Sequence, residues 1–560
     1  MGRLNTIAIR SALVVLAAIA AGHADELTDK VDALFENFDK ADSPGCAVGI
    51  ARDGQLIYSK GYGAAQLEYG IPIQPDTVFH VASVSKQFTA MAVVLLAADG
   101  KLSLDDEARK YVSEIPEFDH PITIRHLLNH TSGIRDQWTL LLMSGWVWGD
   151  IFDTKDILKI VARQKEFNFI PGDRYTYSNT GYTSLGVIAE RVSGKSLDAF
   201  CQERIFGPLG MTRTHFHMNA THIDAERAYS YEKEGEGFKN SLLNYSTAGA
   251  TSLFTTVGDL LKWQHNFTTH QLGGDAAMAM MLQPGVLNGG EKLTYASGVD
   301  VGKYKGLDVI SHGGSDAGFR SVSIYVPSER FGVAVVSNLA SASAQGLGQS
   351  IIDIYLPDKL SDTAPEEPHV SPGYAGQVLA AEADELKSLE GNFVHKENGD
   401  MLTFSTVKER LTAIIPGDPA IPLFKSNPNV FSPMSAPGWM TFTFDNENAV
   451  RWTTAGGDDR VLERVGEKDE SREYLSKLAG TYYSPELDVF YRFHVTDDGL
   501  VLRRPKNDER VLRPSFRDGF AAELAAFYFT RDADGKCNGV RISSNPRVRH
   551  MWFRRVDGFD

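Results

Sequence analysis

Ser83 and Lys86 stand three residues apart in "SVSKQF", at the start of an apolar run that closes on Gly100. That spacing puts both on one face of a first helical turn. A hydroxyl beside an ammonium at a helix N-terminus is one way to make a serine nucleophile. The amine eases deprotonation or takes the proton itself, and the helix N–H groups favour an oxyanion. The same residues also make an ordinary N-cap, and about one S-x-x-K is expected by chance in a chain of this size. Two further strings add chemistry. "PGDRYTYSNTGY" offers Tyr177 and Asn179 in a loop after Pro171-Gly172, the first to relay a proton to a leaving group, the second to orient an acyl amide. "VISHGGSDAGFRS" sets His312, Gly313 and Gly314 at the end of a strand, where glycine lets backbone approach a ligand. There the N–H of Ser315 joins that of Ser83 as a candidate oxyanion hole.

These residues need elements to hold them. "GCAVGIA" and "QLIYSKGYG" flank Arg52-Asp53-Gly54, a strong hairpin signal. Helical patterns follow over 83–99, "TIRHLLNH", 155–164 and "TSLGVIAERVSG" ending on Gly194. Strand patterns return in "SVSIYVP" and "GVAVVSN". Strand pairs at both ends with helices between them predict an α/β (α+β) sandwich whose central antiparallel sheet joins the two ends of one domain, residues 25–356. A Pro-, Ser- and acid-rich linker follows at 357–380. Beyond it "LKSLEGNF" and "LSKLAGTY" repeat a Leu-x-x-Leu-x-Gly-x-aromatic frame, and the ends "NENAVRW…LERV" and "KCNGVRI…FRRV" match as well. Each copy is rich in short alternating strands, so two small antiparallel β-barrels are expected, at 381–466 and 472–560.

Composition narrows the function classes. A net charge of −16, from 72 acidic against 56 basic residues, argues against nucleic acid as a partner. Residues 1–24 read as a signal peptide: Arg3 and Arg10, then "ALVVLAAIAA", then "GHA". A periplasmic or secreted protein without stable membrane insertion is expected. The scattered Cys46, Cys201 and Cys537 read as buried free thiols. His126 and His130 have zinc-like spacing but lack the glutamate a metalloprotease needs, so neither metal nor cofactor is expected. No G-x-S-x-G elbow surrounds any serine.

The order S-x-x-K, Y-x-N, H-x-G resembles the penicillin-recognising serine hydrolases of the class C β-lactamase and DD-peptidase type, as do "LLNHTSGI", "PGDRYTYSN" and "GGSDAGFRS". Within that superfamily the barrels, "SVSKQF", "SGIRDQW" and "YYSPELD" are similar to the D-aminopeptidases. The resemblance implies a serine β-lactamase-like fold and an acyl-enzyme formed on Ser83, with Lys86 and Tyr177 sharing proton transfer. It implies substrate contacts from Asn179, His312, Gly314 and Ser315. Small peptides, amides or esters are the implied substrates; β-lactam binding and a homodimer stay open. Other members carry Lys where His312 stands, to hold a substrate carboxylate. A histidine of unperturbed pKa about 6.5 is mostly neutral at pH 7, which disfavours carboxypeptidase and β-lactamase action and leaves aminopeptidase, amidase or esterase. The alternatives are an esterase or a weak β-lactamase/DD-peptidase and, from a different class, a non-catalytic peptidoglycan- or peptide-binding protein of the same fold. The resemblance also implies a barrel loop restricting the cleft. The matching stretch is 503–519, whose Asp508 and Glu509 are candidates to meet a substrate ammonium.

Overall fold

Asp53 and Gly54 turn the chain with φ of 52° and 75°, as a two-residue hairpin matched to strand twist requires. They join the strands Cys46–Arg52 and Gln55–Tyr62. The sheet is antiparallel, in the order Asp300–Tyr304, Leu307–Asp316, Phe319–Val326, Phe331–Ser337, Cys46–Arg52, Gln55–Tyr62. Val48 lies opposite Val335, so strands from the two ends of this region are neighbours, as the sequence predicts. One face packs Val48, Ile50, Val322, Ile324, Val333 and Val335 against Val31, Phe35, Ile351 and Ile352. On the other face a Cβ at Gly49 would meet Leu261 and Val257 of the helix Val257–Thr269 at 2.9 to 3.1 Å. Burial on both sides explains why these strands read as continuous β-branched runs.

This computed structural model describes residues 26–224, 226–361, 378–396, 399–415, 420–434, 440–454, 459–522, 525–544 and 547–556. The signal segment expected at 1–24 and the core of the linker lie outside them. Two units divide the chain. The first comprises residues 1–98, 195–282 and 298–363, and contains the sheet. The second comprises 99–194, 283–297 and 364–560, and contains the helices Ile124–Leu128, Gln137–Met143, Thr154–Val161 and Asn179–Ser193 with both C-terminal β regions. The first β region is a closed barrel of eight antiparallel strands between Gly391 and Arg464. The second is a nine-stranded antiparallel sheet whose two edge strands, Asp508–Val511 and Arg513–Phe516, are separated only by Leu512, so it is nearly closed. The fold is thus the expected α/β sandwich followed by antiparallel barrels.

The repeat has a physical basis. Gly391 and Gly480 both take positive φ, 143° and 145°, where side-chain-bearing residues are strained. Each follows a short helix, Ala383–Leu389 or Arg472–Leu478. In the first copy the guanidinium of Arg464 donates to the carbonyls of Ser388 and Glu390; in the second Arg555 donates to the matching carbonyls of Lys477 and Ala479. Each arginine therefore caps the exposed carbonyl end of its helix.

Candidate active site

Ser83 lies in a single 3-10 turn, Ala82–Ser85, which runs into the helix Lys86–Ala98. The turn is anchored on every side. Ala82 takes φ 49°, a left-handed position that alanine adopts only under constraint. Ser85 Oγ donates to the Ala82 carbonyl at 2.5 Å and accepts from the Leu253 N–H at 3.0 Å. Ser321 Oγ donates to the Val81 carbonyl at 2.8 Å. A Cβ on Gly314 would come within 2.3 Å of that carbonyl and 2.2 Å of Ser321 Oγ. Of the two glycines in the third motif, Gly314 is the one this approach demands; a Cβ on Gly313 meets nothing closer than 3.8 Å.

Lys86 is fully buried, and its ammonium donates to Ser83 Oγ at 3.1 Å and to the Ala250 carbonyl at 2.7 Å. A desolvated amine at hydrogen-bond distance from a hydroxyl is the arrangement that generates a serine nucleophile. His312 is buried in the strand Leu307–Asp316, and its Nδ1 donates to the Gly313 carbonyl at 2.6 Å. Burial, then the Lys86 charge, push its pKa down to about 4, against a smaller opposing pull from that carbonyl. The imidazole is therefore neutral well below the 6.5 its residue type implies. Ser315 pairs across the sheet with Arg320. The next residue, Asp316, accepts from Thr251 Oγ1 at 2.7 Å and from Tyr245, and lies 3.0 Å from His80 Nε2, which pins the strand at Ser315. No local sequence pattern marks this cluster, because His80, Tyr245, Thr251 and Asp316 come from distant segments.

In the second unit Tyr177 is held by its ring. It packs on His130 with 4.2 Å between ring centres and meets Tyr295 edge-on at 6.4 Å, while the Arg547 guanidinium carbon lies 5.3 Å from its centre. His130 takes φ 59° and accepts the Ser178 N–H on Nδ1 at 3.1 Å. The "HLLNH" histidines thus have separate duties: His126 forms a capping box with Thr123, and His130 shelves the tyrosine. Asn179 is not in a loop, as expected, but is the first residue of the helix Asn179–Ser193. Its N–H and its side-chain amide both donate to Asp136 Oδ2, at 2.7 and 2.9 Å. Asp136 is wholly buried and also caps the helix Gln137–Met143. Beside it buried Arg135 donates to Glu486 Oε2 at 2.7 Å and Gln164 Oε1 at 3.1 Å. The Lys165 N–H completes Glu486 at 2.8 Å. "SGIRDQW" and "YYSPELD", strings 351 residues apart, are thus the two sides of one buried ion pair.

The stretch 503–519 is not the long loop expected. Asp508–Val511 and Arg513–Phe516 are strands, and Lys506 bonds Asp150 at 2.6 Å. Asp508 is gripped by Arg504 and Arg510, which already neutralise the carboxylate intended for a substrate ammonium, and Glu509 is exposed opposite Arg503. The barrel residue that packs on Tyr177 is instead Arg547, just before the strand Val548–Val556. Ser83, Lys86, His312, Gly314 and Ser315 belong to one unit; Tyr177, Asn179, Asp508 and Glu509 belong to the other.

Comparison with known proteins adds to this geometry. A family model described as Beta-lactamase matches residues 31–355. A D-aminopeptidase of Gluconobacter oxydans (strain 621H) is 27% identical over 457 residues, 80% of each chain. Penicillin-binding protein 4* of Bacillus subtilis (strain 168) is 26% identical over 430 residues, 71% of this chain and 90% of that one. Among solved structures, an octameric penicillin-binding protein homologue from Pyrococcus abyssi superposes with a TM-score of 0.51 at 23% identity, over 79% of this chain and all of that one, a likeness of fold.

Proposed function

The chain belongs to the Beta-lactamase family, and on that premise we propose that this serine hydrolase acts on small amino-terminal peptides and amides, as a D-aminopeptidase-like peptidase or amidase. One observation carries the reading: a buried Lys86 ammonium donates to Ser83 Oγ at 3.1 Å on a strained, anchored turn. In this mechanism Ser83 Oγ attacks the substrate carbonyl while its proton passes to the Tyr177 phenolate, and the Lys86 ammonium eases that transfer by its positive charge at Ser83 Oγ. The N–H groups of Ser83 and Ser315 stabilise the oxyanion, the leaving amine collects the proton, and water then hydrolyses the ester on Ser83. Asn179, whose amide is anchored on Asp136, orients the acyl group.

The substrate class follows from charge. Neutral His312 gives the third motif no fixed cation for a free carboxylate, which disfavours carboxypeptidase action. The relatives named D-aminopeptidase support the amino-terminal amide reading. The signal-like start supports action in the periplasm or outside the cell, and the family supports covalent labelling by β-lactams; a homodimer is the assembly proposed.

The test compares D-alanine p-nitroanilide with p-nitrophenyl acetate and labels the enzyme with a fluorescent fluorophosphonate. The anilide is turned over and Ser83→Ala abolishes both turnover and label. Lys86→Ala and Tyr177→Phe each lose on the order of a hundredfold in acylation rate. Ester hydrolysis without anilide hydrolysis would make the protein an esterase, and label persisting in Ser83→Ala would remove the nucleophile from the scheme.

A further inference from the structure

We propose that Arg547, carried by the last barrel, is a positioning residue for Tyr177: its guanidinium lies on the tyrosine ring and stabilises the phenolate form that takes part in proton transfer. The inference rests on the role given to Tyr177 above and concerns what sets that residue's charge.

The contact is built. The Arg547 guanidinium carbon is 5.3 Å from the Tyr177 ring centre, inside the roughly 6 Å range of cation–π attraction. The backbone that presents it is fixed twice. Its carbonyl accepts the Asp136 N–H at 3.0 Å and the Asn168 side-chain amide at 2.9 Å, and Asn168 Oδ1 accepts the Arg549 N–H at 2.8 Å. Asn168 and Asp136 are both buried. Asp136 also receives both Asn179 donors, so one carboxylate residue ties the arginine's turn to the Tyr177-Ser178-Asn179 motif.

Charge gives the contact its purpose. His130, Tyr295 and Arg547 pack on the Tyr177 ring, and His130 in turn faces Tyr175, Tyr182 and Tyr295. None of these rings carries a carboxylate, and the carboxylate of the framework residue Asp136 is occupied by Asn179. A guanidinium stays protonated across the whole working pH range, whereas His312 does not protonate until about pH 4. A cation on the ring lowers the energy of phenolate more than of phenol. The last barrel thereby supplies a permanent positive charge that the third motif lacks.

The experiment is a pH profile of kcat/KM for D-alanine p-nitroanilide with the full-length protein. A phenolate acting as base gives a limb that rises with pH. Arg547→Gln moves this limb up by about one pH unit, so activity falls about tenfold below the limb and matches the wild type above it. Arg547→Lys keeps the charge and restores the limb to within about half a unit, which separates charge from packing even if Gln loosens the turn. An equal loss at every pH, or an unmoved limb in Arg547→Gln, overturns the proposal. Tyr177→Phe separates the two claims. A hundredfold loss there with an unmoved Arg547→Gln limb overturns this inference alone, and a wild-type rate in Tyr177→Phe overturns both.

Discussion

In the first barrel Arg464 caps the helix Ala383–Leu389, and in the second Arg555 caps Arg472–Leu478 through the matching pair of carbonyls, each beside a glycine at the same φ. The two regions part company in the side chains they present to the rest of their unit. The first barrel meets the segment before Tyr177 through Thr454, which donates to Asp173, and through Trp452, under Arg174. The second sends Glu486 to Arg135 and Arg547 to Tyr177, on either side of Asp136. One architecture has thus kept its internal clamp in both copies, while among the described residues it is the second copy that brings Glu486 to Arg135 and Arg547 to Tyr177. The clamp answers a need of the barrel; those two side chains answer a need of the site.

The largest effect that would break this contrast is Glu486→Ala. It removes the buried carboxylate paired with Arg135 and leaves that guanidinium only Gln164 and the more exposed Glu166 at 3.7 Å, which costs about 3 kcal/mol, and it loosens the Arg135-Asp136 step that holds Asn179. Urea unfolding should show that loss, with turnover down at least tenfold. A variant of normal stability would return the second barrel to the status of scaffold. Next come Arg464→Ala and Arg555→Ala, each about 1–2 kcal/mol for charged hydrogen bonds that are partly solvated. The two should cost alike by melting, and Arg464→Ala should leave KM unchanged; unequal costs would undo the equivalence of the clamps. Smallest on the barrel side is Thr454→Val, about 1 kcal/mol or less, with full activity on the anilide.

His312 sharpens the comparison from the catalytic sheet. Because its pKa lies near 4 rather than 6.5, penicillin acylation should not quicken between pH 8 and pH 5, and gains from a protonated imidazole belong near pH 4. His312→Lys should bring that gain at pH 7. The linkage has a definite sign. The folded pKa is depressed, so between about 6.5 and 4 the unfolded chain binds the extra proton, and stability falls as pH drops through that window. A rise in melting temperature on acidification there, specific to His312 by comparison with His312→Gln, would contradict it.

Local signals were legible. Asp53-Gly54 gave the hairpin, the β-branched runs gave the buried strands, and the Leu-x-x-Leu-x-Gly frame marked both barrels because helix and capping glycine recur together. What stayed hidden was pairing across distance. Arg135 and Glu486 are ordinary polar letters until the fold buries them against each other. Asn179 read as a turn because Ser178 makes no side-chain cap to announce the helix. The charges at 503–510 read as a solvated loop because what orders them is cross-strand register, Arg503 opposite Glu509 and Arg504 opposite Asp508, with Asp508 paired to Arg504 and Arg510. His312 showed its type but not its burial, and burial moved its titration.

The separation of 351 residues between Arg135 and Glu486 also sets a schedule. At about 5–20 residues per second, a ribosome takes roughly 20–70 seconds to travel from one to the other. Through that interval Arg135 has no counter-ion from Glu486, and Asp136 has no Arg547 carbonyl to bind. The strand Phe331–Ser337 that closes the sheet on Cys46–Arg52 is made well before then. The unit holding Ser83 and Lys86 therefore has all its described strands on the nascent chain before the residues that brace Arg135 and Asp136 are made.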